Sequence, residues 1–178
     1  DRNLVARDSI SASFQTMILL QKTLAFHIDD ADPRAYINLE FKRLEFVKTK
    51  SILNNKTELY LKRLEELQEK YKDHEASTEF SHKIALHYFN QGNKYKPSPS
   101  EEYRWDLKKA YEICQKAIKK FPESFGASHC IALIKRIEKR TLELKIEKVN
   151  SINKPILSLL SYKNLDQVHL KAIPVTKA

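Results

Sequence analysis

Two cysteines and six histidines are the residues of this 178-residue chain best suited to metal or redox chemistry, and their spacing limits what they can do. A zinc site draws on Cys-x-x-Cys pairs or on two histidines one helical turn apart. Cys114 and Cys130 are too distant in sequence for the first, and His82 and His87, five apart, miss a shared helical face. His27, His74, His129 and His169 stand alone. Asp29, Asp30 and Asp32 lack the glycine and the distal glutamate of a calcium loop and read as a loop with a helix cap. Glu65, Glu66 and Glu69 read as a solvated helix face rather than an acid and base pair. No serine or cysteine stands in a nucleophile motif. The expectation is a chain that is not an enzyme, with no catalytic residues, no metal ligands and no cofactor.

Two pairs of residues remain. Tyr103 and Trp105 could anchor a partner, since exposed aromatics dominate protein interfaces. Trp105 falls in an amphipathic stretch, however, and reads as core. Cys114 and Cys130 lie eight residues either side of Pro122, on the apolar stripes of two expected helices. If Pro122 centres the turn between them, the two thiols are level. A disulfide needs Cα atoms roughly 4.4–6.8 Å apart, whereas helix axes lie roughly 8–10 Å apart. The reading is two reduced cysteines packed as small apolar groups, with a Cys114–Cys130 disulfide as the alternative in an oxidising compartment. Asn55-Lys56-Thr57 matches a glycosylation acceptor, a pattern short enough to arise by chance.

The elements that carry these residues follow from apolar periodicity. Helices are expected over 8–28, 33–53, 57–73, 77–91, 99–121 and 124–140. Asp32 and Pro33 open the second, Thr57 caps the third, and Gly92 stops the fourth. Ser98, Pro99 and Glu101 form a capping box for the fifth, Pro122 ends it, and Ser124 caps the sixth. After residue 140 the period changes to two. Leu142, Leu144 and Ile146 alternate with charged residues, an apolar run covers 156–162, and Val168, Leu170 and Ala172 alternate again. Three short strands do not close a domain of their own, so the chain reads as cut within a β-domain. The division expected is a helical domain over 1–140 and a partial β-domain over 141–178.

Composition agrees. Two glycines and six prolines suit a mainly α chain and leave no phosphate-binding loop. The net charge of +9 is spread along the chain rather than gathered on one motif, so nucleic acid is not an expected partner. No apolar run approaches the roughly 18 residues of a membrane span, and no signal peptide is present.

The pattern Ala85, Tyr88, Gly92, then Ala110, Cys114, Ala117 and Pro122, with small residues where two helices would touch, resembles a tetratricopeptide repeat with a lengthened connection. A wider resemblance runs through AYINLEFKRLEFV at 35–47, ELYL at 58–61, YRW at 103–105, FPESFGA at 121–127, NKP at 153–155 and SYKNLD at 161–166. Together these are similar to the N-terminal helical region of large alpha-2-macroglobulin-like proteins of the Bacteroidetes type. The resemblance implies antiparallel tetratricopeptide-like helix pairs leading into a string of macroglobulin β-domains. It also implies a parent exported to the periplasm or cell surface on a lipoprotein anchor, in a family whose members include protease traps. The family's Cys-x-x-Gln thioester is matched by neither Cys114 nor Cys130. The function expected is a non-catalytic scaffold and protein-interaction segment, partnering other proteins or neighbouring domains of its parent. The alternative is a free-standing tetratricopeptide adaptor that binds a peptide in a concave groove.

Overall fold

The computed structural model describes residues 10–96, 100–147, 149, 154–171 and 173. Six helices precede a two-stranded sheet: α1 (Ala12–Phe26), α2 (Arg34–Lys50), α3 (Lys56–Lys70), α4 (Ser77–Gly92), α5 (Asp106–Lys120), α6 (Phe125–Glu138), β1 (Thr141–Ile146) and β2 (Ser158–Lys163). The turns over 71–76 and 121–124 fold α4 back against α3 and α6 back against α5. Helix α4 is central and packs against α3, α5 and α6, whereas α1 is peripheral and touches only α2.

The core has two parts, one on each side of α4. Ile37, Phe41 and Leu44 of α2 meet Tyr60, Leu64 and Leu67 of α3 and Phe80 and Ile84 of α4. Beyond α4, Ala85 and Phe89 meet Ala110, Cys114 and Ala117 of α5 and Cys130 and Leu133 of α6. Val47 of α2 and Ile131 of α6 fall outside both parts and stay exposed. Helices α3 and α5 bury the same positions at an offset of 50 residues: Leu64 and Leu67 correspond to Cys114 and Ala117, and Tyr71 to Phe121. The first helices of the two pairs thus share one burial pattern.

Several helix boundaries differ from expectation, each for a local reason. Ser124 does cap α6, its hydroxyl accepting from Ala127 N at 3.2 Å, and Asp32 accepts from Arg34 N at 3.1 Å. Thr57 does not cap α3, which starts one residue earlier behind Asn55. Helix α5 starts at Asp106 rather than at 99. Ser98 and Pro99 lie outside the described residues, and Glu101 bonds the Arg104 guanidinium at 2.6 Å instead of a helix amide. Between them Tyr103 adopts a left-handed φ of 65°, which breaks any continuous helix from 100 to 106. Gly92 is the last residue of α4 with no left-handed conformation. Its role is proximity, because a Cβ there would sit 2.7 Å from Leu107 Cγ.

The sheet is antiparallel, with Leu142 opposite Tyr162, Leu144 opposite Leu160 and Ile146 opposite Ser158. Alternation puts these apolar side chains on one face. No helix packs on that face, and Leu142, Leu144, Ile146 and Tyr162 stay exposed. The third strand expected at 168–172 does not form over the described residues 168–171, and Ala172 lies outside them. Asn164 ties the hairpin to the end of α6. Asn164, at φ 55°, donates its side-chain amide to the carbonyls of Ile137 (2.8 Å) and Lys139 (3.2 Å), which α6 leaves unpaired at its end. Removing residues 141–178 is therefore expected to leave the helical circular dichroism in place. The melting temperature should fall by only about 2–4 °C, the equivalent of one lost cap at about 1 kcal/mol in a chain of this size. Loss of cooperative helical unfolding in that truncation would show the strands to be integral.

Candidate functional site

A groove of about 490 Å³ runs along α4 between α3 and α5. Its floor is Ser77, Thr78, Ser81, Ile84 and Tyr88 of α4 together with Ile113 and Ala117 of α5. Two walls of opposite charge flank it. Helix α3 contributes Glu65, Gln68 and Glu69, followed by Lys72, and α5 contributes Lys109, Lys116 and Lys120. The α5 lysines recur at i, i+7 and i+11, which at 100° per residue is a single stripe.

Several of the floor's polar groups are engaged within the protein. Gln68 Nε2 donates to Ser81 Oγ at 2.7 Å, Ser81 Oγ donates to Ser77 O, and Thr78 Oγ1 donates to Glu75 O. Lys109 Nζ donates to Tyr88 OH at 2.7 Å and lies 3.9 Å above that ring. Lys120 pairs with the highly exposed Asp73 at 3.5 Å, and Lys72 pairs with Glu69 at 2.6 Å. Among the described residues, Glu65 and Lys116 have no charged partner. No histidine lines the groove. The arrangement offers fixed charge on two sides, with Ile84, Ile113 and Ala117 among the side chains beneath.

The residues singled out in the sequence lie elsewhere. Trp105 is not core: it is 64% exposed in the turn before α5, with the Arg104 guanidinium 5.0 Å above its ring. The amphipathic reading failed because the helix starts after it. Tyr103 shares that turn, and neither lines the groove. Glu66 is held by Arg63 at 3.1 Å, so of the three acidic residues only Glu65 and Glu69 face the groove. The lysine stripe on α5 was readable by spacing, but nothing local says what it faces.

Cys114 and Cys130 are both wholly buried, unbridged, and hydrogen-bonded thiol to thiol across the α5–α6 contact. The bond to Cys130, reinforced by burial, raises the Cys114 pKa and holds its proton. Thiol titration of the denatured, non-reduced protein is expected to find two free thiols, and the native protein should react only through unfolding. Absence of both thiols in a monomer would instead establish the disulfide.

A second cluster joins α4 to α6. The His82 and His129 rings lie 5.0 Å apart, and the Phe125 ring packs against His129 at a tilt of 57°, centroids 4.4 Å apart. Burial, followed by the charges of His129, Lys83 and Arg136, lowers the His82 pKa to about 4. The folded protein thus refuses a proton that the unfolded chain accepts near its ordinary value of 6.5. Stability contributed by neutral His82 is complete above 6.5 and falls as pH drops toward 4. Burial raises the Glu79 pKa, which acts in the opposite sense, so the comparison with His82→Leu isolates the histidine. The wild type is expected to lose about 1–2 kcal/mol relative to that variant between pH 6.5 and 4, a figure discounted for partial solvent access. Parallel stability curves for the two proteins would exclude this.

Among the described residues no group of three His, Cys, Asp or Glu is placed to hold a metal ion, and no helix is long and apolar enough to cross a membrane. The chain matches no protein-family model, no curated protein and no solved structure.

Proposed function

We propose that this chain is a non-catalytic helical scaffold that binds an extended segment of another protein, or of a neighbouring domain, in the groove over α4. The observation that carries this reading is the groove itself. It has a mixed floor, with Ile84, Ile113 and Ala117 beside Ser81 and Thr78 hydroxyls already bonded internally, and charged walls with Glu65 and Lys116 unpaired among the described residues. An extended chain laid there gains floor contact and wall charge without disturbing the core. The shared burial pattern of α3 and α5 is compatible with tetratricopeptide-like pairs, in which stacked helix pairs leave such a concave surface.

The wider setting we propose is the helical segment of a large exported macroglobulin-like protein. The hairpin favours this over a free-standing adaptor. A two-stranded sheet is marginal alone, and this one leaves Leu142, Leu144, Ile146 and Tyr162 uncovered on one face. Strands of a larger β-domain would bury that face, whereas an adaptor has no use for it.

Selection of a random peptide library on the full chain, with binders mapped by amide chemical shifts, tests the groove. Shifts centred on Gln68, Ser81 and Lys116 are expected. Binders that map instead to the Trp105 turn, or no enrichment at all, would refute the reading.

A further inference from the structure

We infer that the segment held in the groove alternates in charge, presenting acidic side chains to α5 and basic side chains to α3. This inference rests on the groove reading above and specifies its ligand.

The argument is one of matching periods. An extended chain sends successive side chains to opposite sides, and the side chains on one side repeat every two residues, about 6.6 Å. Lys116 and Lys120 are four residues apart on α5, about 6 Å along the helix, and Glu65 and Glu69 have the same spacing on α3. A segment lying along α4 with its side chains directed at the walls therefore meets a lysine pair at i and i+2 and a glutamate pair at i+1 and i+3. Ile84 and Ile113 lie beneath its backbone.

The sign pattern excludes simpler ligands. A uniformly acidic segment gains the α5 wall but is repelled by Glu65 and Glu69, and a uniformly basic one meets the reverse. Lys116 and Glu65 carry the selection because no internal partner competes for them. Lys120 and Glu69 contribute less, since each shares its charge with an exposed partner, Asp73 and Lys72.

Fluorescence anisotropy on the full chain at low salt tests this with three labelled octapeptides: alternating Asp-Lys, all Asp and all Lys. The wild type is expected to bind the alternating peptide about tenfold more tightly than either uniform one. Lys116→Glu makes both walls acidic at that level. It should lose about tenfold for the alternating peptide and gain for all Lys. Glu65→Lys should lose similarly and gain for all Asp. The double variant Glu65→Lys/Lys116→Glu should recover the alternating peptide, because exchanged walls accept the same segment shifted by one residue. All four side-chain positions are exposed, and matching circular dichroism confirms the fold of each variant. A uniform peptide that binds as well as the alternating one overturns the inference, as does a double variant that fails to recover. If none of the three peptides binds while library-selected peptides still map to the groove, the charge rule falls and the groove reading stands. If selected peptides map elsewhere, the groove reading falls with it.

Discussion

Gly126→Ala is expected to destabilise the protein by about 3 kcal/mol, near the upper end of the usual cost of overpacking. Gly126 lies in the first turn of α6, where it crosses the first turn of α4. A Cβ there would overlap the carbonyl carbon of Thr78, the amide nitrogen of Glu79 and Thr78 Oγ1. The first two are backbone atoms of a packed helix and cannot swing aside. Replacing glycine by alanine inside a helix normally gains up to about 1 kcal/mol, so the propensity term favours the variant and the steric term must exceed it. The crossing also holds a buried hydrogen bond between Thr78 Oγ1 and Ser124 Oγ at 2.9 Å, and pushing the helices apart would break it. Gly92→Ala is the comparison. Its Cβ would meet Leu107 Cγ at 2.7 Å and the Leu107 backbone nitrogen at 2.8 Å, where α5 begins and its first turn can shift, and a loss of about 1–2 kcal/mol is expected. Urea midpoints measure both. A Gly126→Ala protein within about 0.5 kcal/mol of wild type would show that α4 and α6 do not approach so closely.

The second large effect is expected at Glu40. Its carboxylate is only 1% exposed, yet it is charged and fully engaged. Arg43 donates to it at 2.6 and 2.7 Å, and Arg63, from α3, donates twice at 3.2 Å. Burial pushes the carboxyl pKa up, and the hydrogen bonds and charges of the two arginines outweigh it, so the group is held below its ordinary value of 4.5. The two Arg63 bonds tie α2 to α3, beside the packing of Ile37, Phe41 and Leu44 on Tyr60, Leu64 and Leu67 and the Tyr60 hydroxyl bond to Glu45 at 2.8 Å. Removing one partner of a buried ion pair costs about 3–5 kcal/mol, but both arginines are partly open to water and can turn outward. Glu40→Ala is expected to lose about 2–3 kcal/mol, or about 1–2 M in urea midpoint. The pH dependence has a definite sign. A depressed carboxyl contributes stability that is complete above about 4.5 and is lost as pH falls through its folded value. Wild type should therefore converge on Glu40→Ala under acid conditions. A variant as stable as wild type at pH 7 would show the triad to be energetically idle.

How much of this was legible beforehand depended on the range of the physics involved. Local effects were readable. The 3.6-residue stripes placed α2, α3, α4 and α6 to within a few residues, the change to period two marked β1, and Ser124 and Pro122 marked the turn between α5 and α6. The small residues Ala85, Ala110 and Ala117 announced a close contact, and they are in it. Failures came where two local signals competed. A capping box at 98–101 favoured an early start for α5, but the left-handed turn at Tyr103 won, and nothing in a tyrosine's chemistry advertises a positive φ. That one misplacement carried Trp105 from core to surface.

By itself, then, the chain's sequence determined the six helices, the two strands that form and which face of each is apolar, because those depend on neighbours within one or two turns, while the same alternation at 168–172 gave no strand over the described residues 168–171. Only the tertiary structure decided what each face meets. It set the lysines of α5 across a groove from the glutamates of α3, laid Gly126 against the backbone of Thr78, brought His82 beside His129 and left the hairpin's apolar face open. These are pairings between residues roughly 40 to 60 positions apart, and the periodicity of one helix carries no information about the charge or size of what another helix brings to it.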